Sequence, residues 1–157
     1  MQNINLLLLS ARFLISVPLL IAGIYLLVKK EFKTLVLASA SVLFVNILSE
    51  ITKALIPENR PFVGNSGNPG IWLPFGNGSF FSGHTGTLFA LGALFWFRNK
   101  ALSLMCFIFG IIVGVLRVII KVHYPVDIVG GAVIGVLIGF LVVRFSEVRP
   151  LRGRTSN

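Results

Sequence analysis

Two histidines, one aspartate and three cations stand in this chain where an apolar sequence would not ordinarily place them. Residues 117–127 read Arg-Val-Ile-Ile-Lys-Val-His-Tyr-Pro-Val-Asp and lie between two apolar runs. Ionisable groups beside a bilayer are costly and are retained mainly for use. An aspartate four residues after a histidine, as Asp127 follows His123, can hold the imidazole through Nδ1 and leave Nε2 to attack. Upstream, Lys53 and Arg60 flank the start of a loop, and Ser82, Gly83 and His84 open an apolar run. That opening is an expected helix N-terminus, where backbone N–H groups and the helix dipole favour an anion. Together with Lys53, Arg60 and Arg117 it suits a phosphoryl group, whose charge must be stabilised during transfer. His123 and His84 allow one nucleophile and one general acid. Each residue has a plainer reading when taken singly: Ser82 a helix cap, His84 an interior histidine, Glu50 and Lys53 an interfacial ion pair. Their convergence on one face is what points to a site.

The elements that must bring them there are membrane helices. The chain has 157 residues, 55% hydrophobic and 12% charged, with a mean hydropathy of +0.92, far above that of a soluble globular domain. Apolar runs at 4–28, 34–55, 80–97, 101–120 and 126–145 approach or exceed the roughly 20 residues that cross a bilayer as helix. They take up most of the chain and leave no room for a separate soluble domain. The expected fold is an all-α, polytopic membrane helical bundle of about five transmembrane helices with a short outer loop, one domain over residues 1–157. The first run lacks the basic segment and small-residue cleavage site of a signal peptide. The single cysteine, Cys106, excludes an intramolecular disulfide.

A net charge of +9 would suit nucleic acid, but its distribution says otherwise. If the five runs alternate, Lys29, Lys30, Lys33, Arg98, Lys100, Arg144, Arg149, Arg152 and Arg154 share one side. By the positive-inside rule that side is cytoplasmic. Lys53, Arg60, Ser82, His84, Arg117, His123 and Asp127 then meet at the outer face, and the C-terminus faces in. The implied partners are the bilayer and a lipid phosphate, with no nucleic acid and no obligate protein partner. The five acidic residues are scattered and offer no cluster for a divalent metal, so the expected chemistry needs neither metal nor cofactor.

Local patterns refine the picture. Asn46, Glu50 and Lys53 fall at i, i+4 and i+7, one helical face, which in a membrane helix turns toward the bundle or a wet cavity. Residues 56–79 are dense in Gly, Pro and Asn and read as a loop, with Trp72 and Phe75 at the outer interface and the length of a functional lid. Gly110 and Gly114 precede Arg117, and Gly131, Gly135 and Gly139 follow Asp127 at steps of four. Such spacing permits close helix approach and turns Arg117 and Asp127 into the bundle.

With these residues in view, the chain resembles the type 2 phosphatidic acid phosphatase (PAP2) family, whose site is shared with vanadium haloperoxidases. The family's Lys, six residues, Arg-Pro motif matches Lys53 through Arg60-Pro61. Its Pro-Ser-Gly-His matches Phe81-Ser82-Gly83-His84, and its Ser-Arg, five residues, His, three residues, Asp matches Leu116-Arg117, His123 and Asp127. The motif core therefore covers residues 53–127. The resemblance implies that His123 attacks phosphorus to form a phosphohistidine, that Asp127 orients it, and that His84 protonates the leaving oxygen. Lys53, Arg60, Ser82, Gly83 and Arg117 would hold the phosphate oxygens. Phe81 and Leu116 depart from the motif proline and serine, and the family's usual six-helix core is one N-terminal helix longer.

The resemblance thus implies a phosphatase, in a bacterial inner membrane, with a periplasm-facing site. Expected substrates are lipid A 1-phosphate first, then phosphatidylglycerophosphate, undecaprenyl diphosphate and phosphatidic acid. The wording of Ser-Gly-His-Thr and His-Tyr-Pro-Val-Asp is also similar to the sphingomyelin synthase group, which implies a phosphotransferase as one alternative. A non-enzymatic lipid transporter is the other.

Overall fold

The computed structural model describes residues 2–56, 58, 60–61 and 78–146, with side chains from residue 13 onward. The described residues form five helices, with short turns between the first and second, the third and fourth, and the fourth and fifth: α1 (Gln2–Val28), α2 (Phe32–Leu55), α3 (Gly83–Trp96), α4 (Lys100–Ile119) and α5 (Pro125–Phe145). The all-helical bundle expected from the sequence is the fold observed. By length and composition α2, α4 and α5 can each cross a membrane, and the 13–28 part of α1 is a shorter apolar helix. The expected outer-loop positions Trp72 and Phe75 lie outside the described residues, as do the side chain of Arg12 and the tail from residue 147.

The third helix differs from the run at 80–97. It begins at Gly83 and has 14 residues, about 21 Å of helix against a hydrocarbon core of about 30 Å. Residues 80–82 are not helical because they are held in other ways. Phe81 is wholly buried, and Ser82, in extended conformation, caps the helix while its N–H donates to the Asp127 carbonyl at 3.1 Å. The helix itself is buried on almost every side, including Thr85, Leu88, Leu91, Leu94 and Phe95. A helix apolar all round belongs in the interior, and α2, α4 and α5 pack around this one.

Most of the close approaches are made to α3. The spacing of glycines on α4 and α5 is explained by this shared neighbour more than by contact between those two helices. A Cβ on Gly131 would lie 2.6 Å from the Ser82 carbonyl oxygen, and Cβ atoms on Gly135 and Gly139 would overlap the carbonyls of Gly86 and Ala90. On the α4 side, Gly110 packs under Leu88 and Phe89, and Gly114 against Ile128 and Thr85. Ser103 adds a hydrogen bond to the Gly92 carbonyl at 2.7 Å. Small residues permit this backbone approach, which in lipid supplies the packing that holds helices together.

At the end opposite the site, Asn99 caps α4 by accepting the N–H groups of Ala101 and Leu102. Arg98 pairs with Glu31 at 3.6 Å and donates to the Thr34 hydroxyl, joining the α3–α4 turn to the start of α2. This end carries Lys29, Lys30, Lys33, Arg98, Lys100 and Arg144, so the charge asymmetry read from the sequence corresponds to the two ends of the bundle.

The α3–α5 contact makes a direct prediction. Gly135→Ala places a methyl group against the Gly86 backbone, which cannot rotate away. Overpacking of this kind costs about 1–3 kcal/mol, so the detergent-solubilised variant should unfold at a clearly lower temperature than wild type. An unchanged midpoint would show that α5 does not lie against α3 in this register.

Candidate active site

The spacing of the last motif follows from how α4 ends. Lys121 adopts φ 56°, the left-handed conformation that commonly closes a helix. The chain turns back, and the N–H groups of Val122 and His123 both donate to the Arg117 carbonyl, at 3.0 and 3.3 Å. Five intervening residues therefore bring His123 back over Arg117 through main-chain bonds. Pro125 then starts α5, where its missing N–H and fixed φ are tolerated. Asp127, the third residue of α5, reaches back: its Oδ2 accepts the Tyr124 N–H at 2.9 Å and contacts His123 Nδ1 at 3.2 Å. The carboxylate thus caps the helix and fixes the imidazole at once.

His123 is 3% exposed and Asp127 is fully buried. Burial pushes the His123 imidazole down to about 4, against the opposing pull of its Asp127 hydrogen bond, and the guanidinium groups of Arg117 and Arg60 push it further down. The ring is neutral at neutral pH. With Asp127 accepting from Nδ1, Nε2 carries the lone pair.

The phosphate-type cations meet this pair. Arg117 is 6% exposed and Arg60 7%, and both act on His123. Burial lowers the Arg60 pKa from its ordinary value, while the carboxylates of Glu50 and Asp127 raise it in compensation. Lys53 lies within electrostatic reach of both Arg60 and Arg117 and is paired with Glu50 at 2.6 Å.

Ser82, Gly83 and His84 stand at the N-terminus of α3 as expected, a position suited to an anion. The Ser82 hydroxyl accepts from Thr85 Oγ1 at 3.2 Å, and its N–H ties the turn to the Asp127 carbonyl. Gly83 leaves space where a Cβ would come within 3.1 Å of Ser49 Oγ. His84, half-buried, is the second residue of the helix and shares its first turn. The structure thus gathers Lys53, Arg60, Ser82, Gly83, Arg117, His123 and Asp127 at one end of the bundle, with His84 beside them on α3.

Two supporting residues were not singled out by sequence reasoning. Ser49, 1% exposed, donates to the Phe81 carbonyl at 2.9 Å. Thr52 reaches the Phe80 carbonyl at 3.2 Å. These hydroxyls on α2 hold the non-helical segment that leads into the start of α3. Their signal was weak, since small hydroxyl residues in an apolar run read equally well as helix packing. Asn46, on the face expected to turn inward, donates to Thr87 Oγ1 at 3.1 Å while remaining largely exposed.

A family model described as the PAP2 superfamily matches residues 34–150. Among curated proteins, the chain is 38% identical over 95 residues to a protein of Bacillus subtilis (strain 168) named undecaprenyl-diphosphatase BcrC. That alignment covers 59% of this chain and 48% of the relative, so the chain matches about half the length of that protein. No solved structure matches.

The chain holds two histidines, which makes His123 directly observable. In His84→Asn, the sole remaining imidazole in a histidine-labelled NMR spectrum should stay neutral as pH falls through 6.5 and charge only near pH 4. The sign follows from burial: the charged form is disfavoured, so protonation is deferred to lower pH. A midpoint near 6.5, the ordinary value, would mean that His123 is solvated.

Proposed function

The chain belongs to the PAP2 superfamily, and from that premise we propose that it is a membrane lipid phosphatase that works through a phosphohistidine at His123. The observation that carries this reading is the state of His123: buried, neutral, held through Nδ1 by Asp127, and placed among Arg60, Arg117 and the α3 N-terminus. A neutral imidazole with Nε2 available is a competent nucleophile at neutral pH, and the surrounding cations stabilise charge as it develops on phosphorus.

In the first step Nε2 attacks phosphorus and the bond from phosphorus to the lipid-side oxygen breaks. His84 gives that oxygen its proton, and the proton on His123 Nδ1 stays in its hydrogen bond to Asp127. In the second step water, losing a proton to His84, attacks the phosphoryl group, the N–P bond breaks, and inorganic phosphate leaves. Lys53, Arg60, Ser82, Gly83 and Arg117 hold the non-bridging oxygens throughout. No step draws on a metal or cofactor.

The substrate is a lipid phosphate or diphosphate. The curated relative is named for undecaprenyl diphosphate, which favours a polyprenyl diphosphate over lipid A 1-phosphate, the sequence's first expectation. Phosphatidylglycerophosphate and phosphatidic acid complete the panel. The cations Lys29, Lys30, Lys33, Arg98, Lys100 and Arg144 at the opposite end support a cytoplasmic placement of that end and a site on the outer, periplasmic side. The same reading places the C-terminus in the cytoplasm.

The test is release of inorganic phosphate by the purified protein in detergent with EDTA across this panel. Wild type should release phosphate, fastest from the diphosphate. His123→Ala should be slower by about 10³-fold or more, and His84→Ala by about 10²–10⁴. Equal rates in wild type and His123→Ala would remove the phosphohistidine. Phosphate transfer to an added alcohol in place of free phosphate would make the protein a phosphotransferase.

A further inference from the structure

Glu50 takes no part in the phosphoryl transfer proposed for His123 and His84, yet it sits among the groups that bind phosphate. Its carboxylate meets Lys53 Nζ at 2.6 Å, one turn along α2, with side-chain exposures of 36% for Glu50 and 12% for Lys53. It also acts on Arg60, more strongly than Asp127 does. Arg60 and Arg117 both repel the charge on Lys53, and Asp127 is committed to His123 and the Tyr124 N–H. Glu50 is therefore the carboxylate that balances the outer part of the cation cluster.

A lysine ammonium has three donors, and a carboxylate on one of them competes with a phosphate oxygen for the same charge. A pair this close and partly exposed is also easily exchanged, because such bridges are worth little in net terms. Glu50 can swing toward solvent when a stronger anion arrives, whereas the buried Asp127 cannot. Building on the phosphate-site reading, we propose that Glu50 is a resident counter-ion: it holds Lys53 before phosphate binds, yields to the phosphate oxygens, and returns to Lys53 as product phosphate leaves. It weakens phosphate binding, and by doing so it keeps the released product from occupying the site.

The test is the affinity of Glu50→Gln for orthovanadate and for inorganic phosphate, measured as binding and as inhibition of phosphate release. The amide keeps the shape of the side chain and removes its charge. Both anions should bind about three- to tenfold more tightly to the variant than to wild type, the scale of a partly exposed ion pair. Unchanged affinity would make the pair purely structural. Weaker binding would mean that Glu50 holds Lys53 in its working position, and either result overturns the proposal. Failure of wild type to bind orthovanadate would instead remove the phosphate-site reading itself. Where the variant does not fold, wild type labelled with 13C-glutamate gives the answer by infrared difference spectroscopy. Saturation with orthovanadate should shift a carboxylate band as Glu50 leaves Lys53, and an unchanged glutamate spectrum would contradict the exchange.

Discussion

Gly131, Gly135 and Gly139 let α5 lie on α3 with backbone against backbone, and the geometry of the site rests on that contact. Each glycine faces a carbonyl of α3 or its cap, at Ser82, Gly86 and Ala90 in turn. The first of these is the residue whose N–H bonds the Asp127 carbonyl. The turn that opens α3 and the carboxylate that holds His123 are therefore fixed relative to one another by main-chain atoms. Side chains add to this arrangement from α2, where Ser49 and Thr52 hold the carbonyls of Phe81 and Phe80. A buried carbonyl left without its donor costs about 1–3 kcal/mol, which makes the segment expensive to move. Phe81, fully buried in the position of the motif proline, stiffens the same segment by packing.

Charge is the second constraint. Three cations and a helix N-terminus close together repel one another strongly in a medium less polarisable than water. The site contains this repulsion with two carboxylates of different character. Asp127 is buried and holds two donors, a ring nitrogen and a backbone N–H. Glu50 is partly exposed and holds one. The first fixes geometry, and the second is the carboxylate of the proposed exchange with phosphate. Keeping His123 neutral belongs to the same arrangement, since burial and two guanidinium groups all disfavour a further positive charge on the ring.

Much of this was legible in the chain itself, for reasons that differ by residue. The five helices announced themselves because long apolar runs have few other fates, although among the described residues three of them are long and apolar enough to cross a bilayer. The Arg117, His123, Asp127 spacing was readable because a left-handed turn and a helix start fix it locally. The limits of α3 were not readable. Phe80 and Phe81 are as apolar as the helix they precede, and only tertiary bonds to Asp127, Ser49 and Thr52 draw residues 80–82 out of it. Nor did periodicity show that the glycines of α4 and α5 share α3 as their neighbour, because close approach is a property of a pair and the sequence displays one partner at a time. Glu50 looked like an interfacial ion pair since its relation to Arg60 spans a loop.

The most direct measurement is the identity of the phosphorylated residue. Polyprenyl diphosphate labelled in its terminal phosphate, mixed with enzyme and quenched on the millisecond scale, should leave an acid-labile, alkali-stable phosphoryl group on the protein. Trypsin separates the two histidines, because cleavage after Lys121 and Arg144 isolates residues 122–144 from the segment that carries His84. The account predicts label on the 122–144 peptide, at His123. Label on the His84 peptide, or turnover with no labelled protein at any quench time, would contradict it.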